Sequence, residues 1–213
     1  MFVGGRKTIF ERVLTIMALA MAMASVTRKM TTSALSSAPK FNFGAASSKI
    51  PLAFGIEAPG VPMKPGGKYN DPESVPTEVM NEWTDFLKEN DVKRTLCLLN
   101  PNELDCYSKP GYASFLEEQG ITPACVNVFE EDASEKLLEA YNAAVESGEK
   151  IAVHCSGGEG RTGVVLGALL MKEAGLTVEE AEAEVMSSAE SAGVVRKLSA
   201  DKVNKLLDSG TLG

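Results

Sequence analysis

The residues best suited to chemistry form one short run, His154-Cys155-Ser156-Gly157-Gly158-Glu159-Gly160-Arg161-Thr162-Gly163. It lies between two apolar segments, 150–154 and 162–174, so we predict a buried strand, a tight loop and a buried helix. Glycines allow the backbone N–H groups of such a loop to turn inward, and the start of the helix adds positive partial charge. Arg161 can hold two oxygens of one ligand with its planar guanidinium. The pattern predicts a site for a tetrahedral oxyanion such as phosphate, bound by Ser156, Gly157, Gly158, Glu159, Gly160 and Arg161.

The cysteine of this run lies where a thiol becomes reactive. Helix N-termini and nearby cations lower the pKa of a cysteine thiol from about 8.5 to roughly 3.5–7.5. We therefore expect Cys155 to attack phosphorus as a thiolate and to form a phosphocysteine intermediate, while Arg161 and the amides stabilise the spreading charge. Thr162 can then donate a hydrogen bond to the departing sulfur. No step requires a cofactor or a metal, and the single histidine and the absence of a C-x-x-C pair exclude the usual zinc sites.

The elements around the loop alternate between strands and helices. Short apolar runs predict strands, at 94–99, 124–129 and 150–154. Apolar residues at helical spacing and capping signals predict helices, at 76–89, 111–119, 133–147, 162–174, from 177 onward and at 200–207. We predict an α/β fold with a central, mostly parallel sheet flanked by helices, and with the phosphate loop between the last core strand and the central helix.

The motif H-C-x-x-G-x-x-R-T-G resembles the signature of the cysteine-dependent protein tyrosine and dual-specificity phosphatases. The run L-L-N-P-N-E-L-D-C-Y at 98–107 and the run G-L-T-x-E-E-A at 175–181 resemble the compact dual-specificity and kinase-associated branch. The resemblance covers about residues 75–207. It implies a phosphatase acting on phosphoproteins, through phosphotyrosine, phosphoserine or phosphothreonine, and a supporting role for His154 in orienting the loop.

The resemblance also implies a carboxylic acid that protonates the leaving oxygen, on the loop after strand 124–129. That loop offers Asp132 and Glu130, and the two stay open as candidates. Asp132 also forms a capping-box pattern with Glu135 at the start of the next helix. Asp105, in the earlier turn, is a third candidate. A second departure lies at the final helix, where many relatives carry a glutamine and this chain has Asp201 and Lys202.

Rival functions remain open alongside the phosphatase. A phosphate-binding module with little turnover would recognise phosphoproteins without hydrolysing them, and a cysteine enzyme handling sulfur or arsenate is a third possibility. The loop lacks the lysines of phosphoinositide-directed relatives, which disfavours polyphosphorylated inositol. Cys97 and Cys125 lie in predicted strands and read as core residues, with a redox partnership to Cys155 as the minority interpretation.

Charge divides the chain into a basic N-terminal segment and an acidic body. Residues 1–30 hold five basic residues and one acid, which leaves the rest with a net charge of −12. So acidic a body is a poor partner for nucleic acid.

We interpret 1–30 as a signal-like targeting segment, 31–72 as a transit-like linker of low order and 73–213 as the phosphatase domain. The apolar run at 13–26 is too short for a stable membrane span in the mature protein. This two-part presequence predicts an organelle, a plastid first, with the secretory pathway or a mitochondrion as alternatives. The oligomeric state is not predicted.

Overall fold

A computed structural model describes residues 39–60 and 71–212 of the 213-residue chain. The described residues belong to one compact unit. The signal-like segment 1–30, and residues 31–38 and 61–70 of the segment interpreted as a linker, lie outside the described residues.

The described residues form a sheet and helices in a regular alternation. The strands are β1 Gly44–Ala45, β2 Ala53–Glu57, β3 Val92–Cys97, β4 Thr122–Cys125 and β5 Lys150–Cys155. The helices are α1 Thr77–Glu89, α2 Pro101–Leu104, α3 Tyr112–Glu118, α4 Ala133–Ser147, α5 Gly160–Ala174, α6 Val178–Ala192 and α7 Ala200–Ser209. A short 3-10 turn at Lys40–Asn42 precedes β1.

The sheet has five strands in the order β1-β2-β5-β3-β4. Strand β1 is antiparallel to β2, and every other pair is parallel. Strand β5 therefore lies in the middle, with β2 on one side and β3 on the other. Because parallel strands share one carboxyl edge, the loop after β5 lies beside the ends of β2 and β3, the usual place for a ligand in such a sheet.

Helices cover both faces of this sheet. Side chains of α1 and α3, including the fully buried Trp83, pack on one face. The helices α4 to α7 pack on the other, around the almost wholly buried α5. The predicted α/β architecture with a mostly parallel sheet is confirmed. The central position of α5 follows from its apolar sequence, which leaves it no polar face to turn toward water.

The prediction that residues 31–72 form a linker of low order is wrong for residues 39–60, and the folded unit begins well before residue 73. Strand β2 pairs along its whole length with β5, from Ala53 opposite Ile151 to Glu57 opposite Cys155. Its sequence, AFGIE, is short and shows no regular alternation, so its strand structure comes from long-range pairing rather than from a local pattern.

Other element bounds differ from the predictions by a few residues. The predicted strand 124–129 is β4 Thr122–Cys125, and the chain leaves the sheet after Val126 donates its N–H to the Cys97 carbonyl. The helix predicted at 133–147 is α4 with the same bounds. The capping box at Thr177 and Glu180 is present at the start of α6. Within the described residues, none of the helices has the length and hydropathy needed to cross a bilayer.

Candidate active site

The loop between β5 and α5 turns its carbonyl groups outward, where other segments hold them. The carbonyl of Ser156 accepts a hydrogen bond from the Ala58 N–H (2.8 Å), and that of Gly157 accepts one from Asn42 Nδ2 (3.0 Å). The carbonyl of Glu159 accepts from the N–H groups of Gly163 and Lys197. These contacts fix the loop from three directions.

The N–H groups of the same loop remain available. From Ser156 to Arg161, no backbone N–H donates to an acceptor among the described residues. Consecutive N–H groups on one side of a loop, followed by a helix N-terminus, form a binding site for a tetrahedral oxyanion. The free N–H groups therefore support the oxyanion site predicted from the glycine pattern.

Gly158 is the position where this loop requires glycine. Its φ is +67°, in the left-handed region, and a Cβ atom there would come within 2.4 Å of the Ile56 carbonyl oxygen. A side chain would push the loop away from the end of β2. The close approach of β2 explains why segment 39–60 belongs to the site as well as to the fold.

Cys155 lies at the base of the loop, 5% exposed. Its N–H donates to Thr162 Oγ1 (3.0 Å), and the Thr162 hydroxyl donates to the Cys155 sulfur (3.3 Å). Thr162 is fully buried in the first turn of α5. The hydroxyl is thus placed to stabilise negative charge on the sulfur, as the sequence pattern suggested.

Arg161 is held by a carboxylate that the sequence analysis did not single out. Its Nη1 and Nη2 donate to the two oxygens of Glu103, both at 2.6 Å, and Nη1 also donates to the Leu98 carbonyl (2.9 Å). The remaining N–H groups, on Nε and Nη2, share one edge of the guanidinium. That edge has no acceptor among the described residues and matches two oxygens of a phosphate.

The electrostatics of the pair follow from this geometry. Burial opposes ionisation of both groups, but their mutual hydrogen bonds outweigh it: the pKa of Arg161 is raised and that of Glu103 is lowered. The charge of the Cys155 sulfur also contributes to the raised pKa of Arg161, which places sulfur and guanidinium in each other's field. Glu103 is oriented in turn by the Asn100 N–H (2.9 Å), within a capping box that begins α2.

Arg196 is a second cation that sequence analysis missed. It is 4% exposed, and it donates to the carbonyls of Val195 and Asn42, both at 2.9 Å. Burial lowers its pKa to about 10, while the charges of Cys155 and Glu159 act in the opposite direction. Arg196 therefore stays charged at neutral pH and adds positive potential behind the loop. Nothing in the local sequence distinguishes it from an exposed arginine.

His154 lies on the opposite face of β5 from Cys155 and is fully buried. Its Nε2 forms a hydrogen bond with the Tyr112 hydroxyl, and its Nδ1 faces the Cys155 carbonyl (3.3 Å). Burial lowers the pKa of His154 to about 4. A neutral, buried imidazole that contacts the backbone of Cys155 supports a positioning role rather than proton transfer.

The burial of neutral His154 predicts how the free energy of unfolding changes with pH. Since His154 binds its proton at about pH 6.5 when unfolded and only at about 4 when folded, falling pH favours the unfolded chain. The loss begins near pH 6.5 and levels off near 4, and reaches about 3 kcal/mol. We expect urea unfolding of the wild-type protein to show this loss, and His154→Gln to lack it.

The comparison between the two proteins isolates His154, because it is the only histidine in the chain. Burial and the charge of Glu159 raise the pKa of Glu57, so protonation of this carboxyl stabilises the folded protein as pH falls. This gain is the same in both proteins and does not affect the comparison. Equal slopes for wild type and His154→Gln between pH 6.5 and pH 5 would show that His154 is not buried as a neutral group.

The candidate general acids lie on the segment after β4. Both carboxylates are about half exposed and pair with Lys136, Glu130 at 3.3 Å and Asp132 at 2.9 Å. Glu130 also accepts from Asn127 Nδ2 (3.4 Å). Asp132 occupies the N-cap position of α4 without a side-chain capping bond, so its carboxylate is not used by the helix as the pattern with Glu135 suggested.

No hydrogen bond or ion pair joins Glu130 or Asp132 to the phosphate loop in the described part of the chain. Phe129, next to Glu130, lines the same cavity as Gly160 and Arg161. The structure thus brings this segment to the edge of the site, but it does not choose between the two carboxylates. Asp105, the third candidate, follows α2 and makes no side-chain contact with the loop among the described residues.

The other cysteines are free thiols. Cys97 and Cys125 are direct partners in the pairing of β3 with β4, and Cys97 lies on the face of the sheet that carries His154. Cys155 lies on the opposite face, so the pairing gives Cys97 no direct path to it. The described residues contain no cluster of three or more potential metal ligands.

Known phosphatases resemble this chain in sequence or in fold. Residues 126–205 match a family model described as Swiss Army Knife protein, DSP-PTPase phosphatase domain. A kinase associated phosphatase, solved with its catalytic-site cysteine substituted by serine, is 17% identical at a TM-score of 0.59, over 78% of this chain and 93% of its own. PTPMT1 is 12% identical at a TM-score of 0.52, and the match covers 76% of this chain and 90% of PTPMT1. A structure of PTPMT1 in complex with PI(5)P is 13% identical at a TM-score of 0.50, and the match covers 72% of this chain and 88% of PTPMT1. No curated protein sequence matches the chain.

The fold is that of the dual-specificity and tyrosine phosphatases. The part of the chain that matches the phosphatase-domain model, residues 126–205, includes the whole phosphate loop. The resemblance drawn from the H-C-x-x-G-x-x-R-T-G motif is thereby confirmed.

Proposed function

We propose that this chain hydrolyses phosphate monoesters on proteins, with Cys155 as the nucleophile. The observation that carries the proposal is the loop itself: its carbonyls are held by other segments, its N–H groups have no acceptor among the described residues, and the Thr162 hydroxyl donates to the Cys155 sulfur at its base. Such a cradle gives the greatest stabilisation when negative charge spreads over the equatorial oxygens in the transition state.

The reaction proceeds in two steps. The Cys155 thiolate attacks phosphorus, so a sulfur–phosphorus bond forms as the bond to the leaving oxygen breaks, and a carboxylic acid protonates that oxygen. A water then attacks phosphorus, passes a proton to the same carboxylate and releases inorganic phosphate, while the sulfur leaves as thiolate. The Thr162 hydroxyl, 3.3 Å away, donates a hydrogen bond to that sulfur.

Acid quenching of the wild-type protein during turnover of a radiolabelled phosphotyrosine peptide tests this proposal. We expect the quench to trap a labelled phosphoenzyme, and we expect EDTA to leave turnover unchanged. Steady turnover without any labelled protein would contradict the covalent route.

The second candidate is a phosphoprotein-binding module with little turnover. It is favoured by one observation, namely that both acid candidates pair with Lys136 and, within the described residues, form no hydrogen bond or ion pair with the loop. Catalytic hydrogen bonds are often formed only once substrate is bound, so this separation is compatible with either function. Turnover by the wild-type protein distinguishes the two.

The general acid has a test that depends on the leaving group. We propose Asp132, because Lys136 is its only side-chain partner among the described residues, whereas Asn127 also holds Glu130. We expect Asp132→Asn to lower kcat on a phosphopeptide by about 10²-fold or more. The loss on para-nitrophenyl phosphate should be much smaller, because nitrophenolate leaves without a proton.

Glu131, which lies between the two candidates, supplies the matched control. Glu131→Gln should leave both activities unchanged. If Glu130→Gln shows the leaving-group dependence and Asp132→Asn does not, the roles are exchanged; if neither shows it, the proton comes from elsewhere.

A further inference from the structure

A cavity of about 270 Å³ opens directly beside the phosphate loop. Its walls come from the start of α5, the segment between α6 and α7, the start of α7, the segment after β4 and the C-terminal residues. Among the lining residues are Phe129, Arg161, Lys197, Leu198, Lys202 and Leu212. Because Arg161 belongs to both, a molecule whose phosphate lies in the loop has its adjoining atoms at the mouth of the cavity.

The interior of the cavity suits an apolar side chain. Phe129 is 50% exposed, although a phenyl ring gains from burial, and its exposed surface faces this space. Leu198 and Leu212 continue the apolar wall, and the Leu212 N–H is anchored to the Val128 carbonyl (2.7 Å). A volume near that of one or two side chains is below the usual size of a small-molecule pocket.

Two lysines line the same cavity, and their situations differ. Lys197 forms an ion pair with Glu159 of the loop. Lys202 is exposed and forms no ion pair with any described residue. It lies in the first turn of α7, where a cation is disfavoured by the helix dipole, so its charge does not stabilise the helix. In a chain of net charge −8, an anion near this site requires such a local cation.

We propose that the cavity selects phosphopeptides in which an apolar side chain adjoins the phosphorylated residue and an acidic side chain follows it. The apolar side chain fills the space against Phe129, and the carboxylate meets Lys202. This inference rests on the proposed function. Peptides are favoured over inositol phosphates, because the walls are largely apolar and Lys202 is the only lining lysine that no described residue neutralises.

Matched peptides test the selection. The parent carries phosphotyrosine among alanines; a second series places leucine next to it, on either side; a third adds glutamate beyond the leucine. On one side we expect leucine to raise kcat/KM by about 10-fold. Glutamate should raise it by a further 2- to 5-fold, about the range of an exposed ion pair, and added salt should reduce that second gain.

Variants assign each gain to its residue. Lys202→Gln should abolish the gain from glutamate and keep the gain from leucine, whereas Phe129→Ala should abolish the gain from leucine. Lys205→Gln, on the same helix and outside the cavity, is the control and should keep both. Thermal unfolding of each variant checks that it is folded.

The outcomes separate this inference from the proposed function. If the wild-type protein hydrolyses para-nitrophenyl phosphate but treats all the peptides alike, the inference is wrong and the function stands. Faster turnover of a short-chain phosphatidylinositol phosphate than of any peptide would also overturn it. If there is no turnover at all, dissociation constants for Cys155→Ser measure the same preferences, and equal constants across the peptides refute the inference.

Discussion

Cys155→Ser is expected to lower kcat on para-nitrophenyl phosphate by about 10⁴-fold or more, the scale seen when a covalent enzyme loses its nucleophile. A serine hydroxyl is not ionised at neutral pH, and the described residues place no base against this side chain: its contact is the Thr162 hydroxyl. The backbone contacts that shape the loop do not involve the sulfur. Affinity for a phosphopeptide should therefore persist, measured by fluorescence anisotropy beside the kinetic assay.

Cys125→Ser is the matched control, since it removes an exposed thiol on β4 and should leave kcat unchanged. Activity that survives Cys155→Ser would eliminate the phosphocysteine route. A wild-type protein that binds the phosphopeptide but never turns it over would instead establish the binding module.

The phosphate loop could be predicted from sequence because all its parts are contiguous. A strand, a glycine-rich turn and a helix follow one another within 150–174, and local geometry alone brings Cys155 to the end of the strand and Arg161 to the start of the helix. Helix α4 could also be predicted from the sequence, because its amphipathic spacing and the glycine at its end are both local signals.

The parts that sequence analysis missed depend on distant segments. Strand β2 is a strand because β5 pairs with it about a hundred residues later. Asn42 reaches the Gly157 carbonyl across 115 positions, and Glu103 reaches Arg161 across 58. The N-P-N-E run at 100–103 does signal a capping box, yet nothing in it indicates that the glutamate also holds Arg161 of the phosphate loop. The general acid stayed open for a related reason, since no hydrogen bond or ion pair in the described part of the chain joins either carboxylate to the loop.

Arg161→Lys is expected to lower kcat/KM by about 10³-fold, with most of the loss in kcat. A lysine keeps the charge but offers no planar pair of donors, so it loses the Nε and Nη2 edge that faces the phosphate site and the two bonds to Glu103 at 2.6 Å. Steady-state kinetics on para-nitrophenyl phosphate and on a phosphopeptide measure the loss. An Arg161→Lys protein with wild-type kcat would show that the bidentate contact does not serve the transition state.

Glu103→Gln tests the orientation of the Arg161 guanidinium while the guanidinium itself stays in the site. The glutamine keeps one acceptor for Arg161 and removes the charge, so the arginine edge should become misaligned, with kcat falling by about 10²-fold while KM changes little. Asn100→Ala is the matched control: it removes the side-chain half of the capping box, at a cost of about 1 kcal/mol in stability, but leaves the Glu103–Arg161 pair intact. If Asn100→Ala lowers kcat as much as Glu103→Gln does, then Glu103 acts by stabilising α2 and not by positioning Arg161.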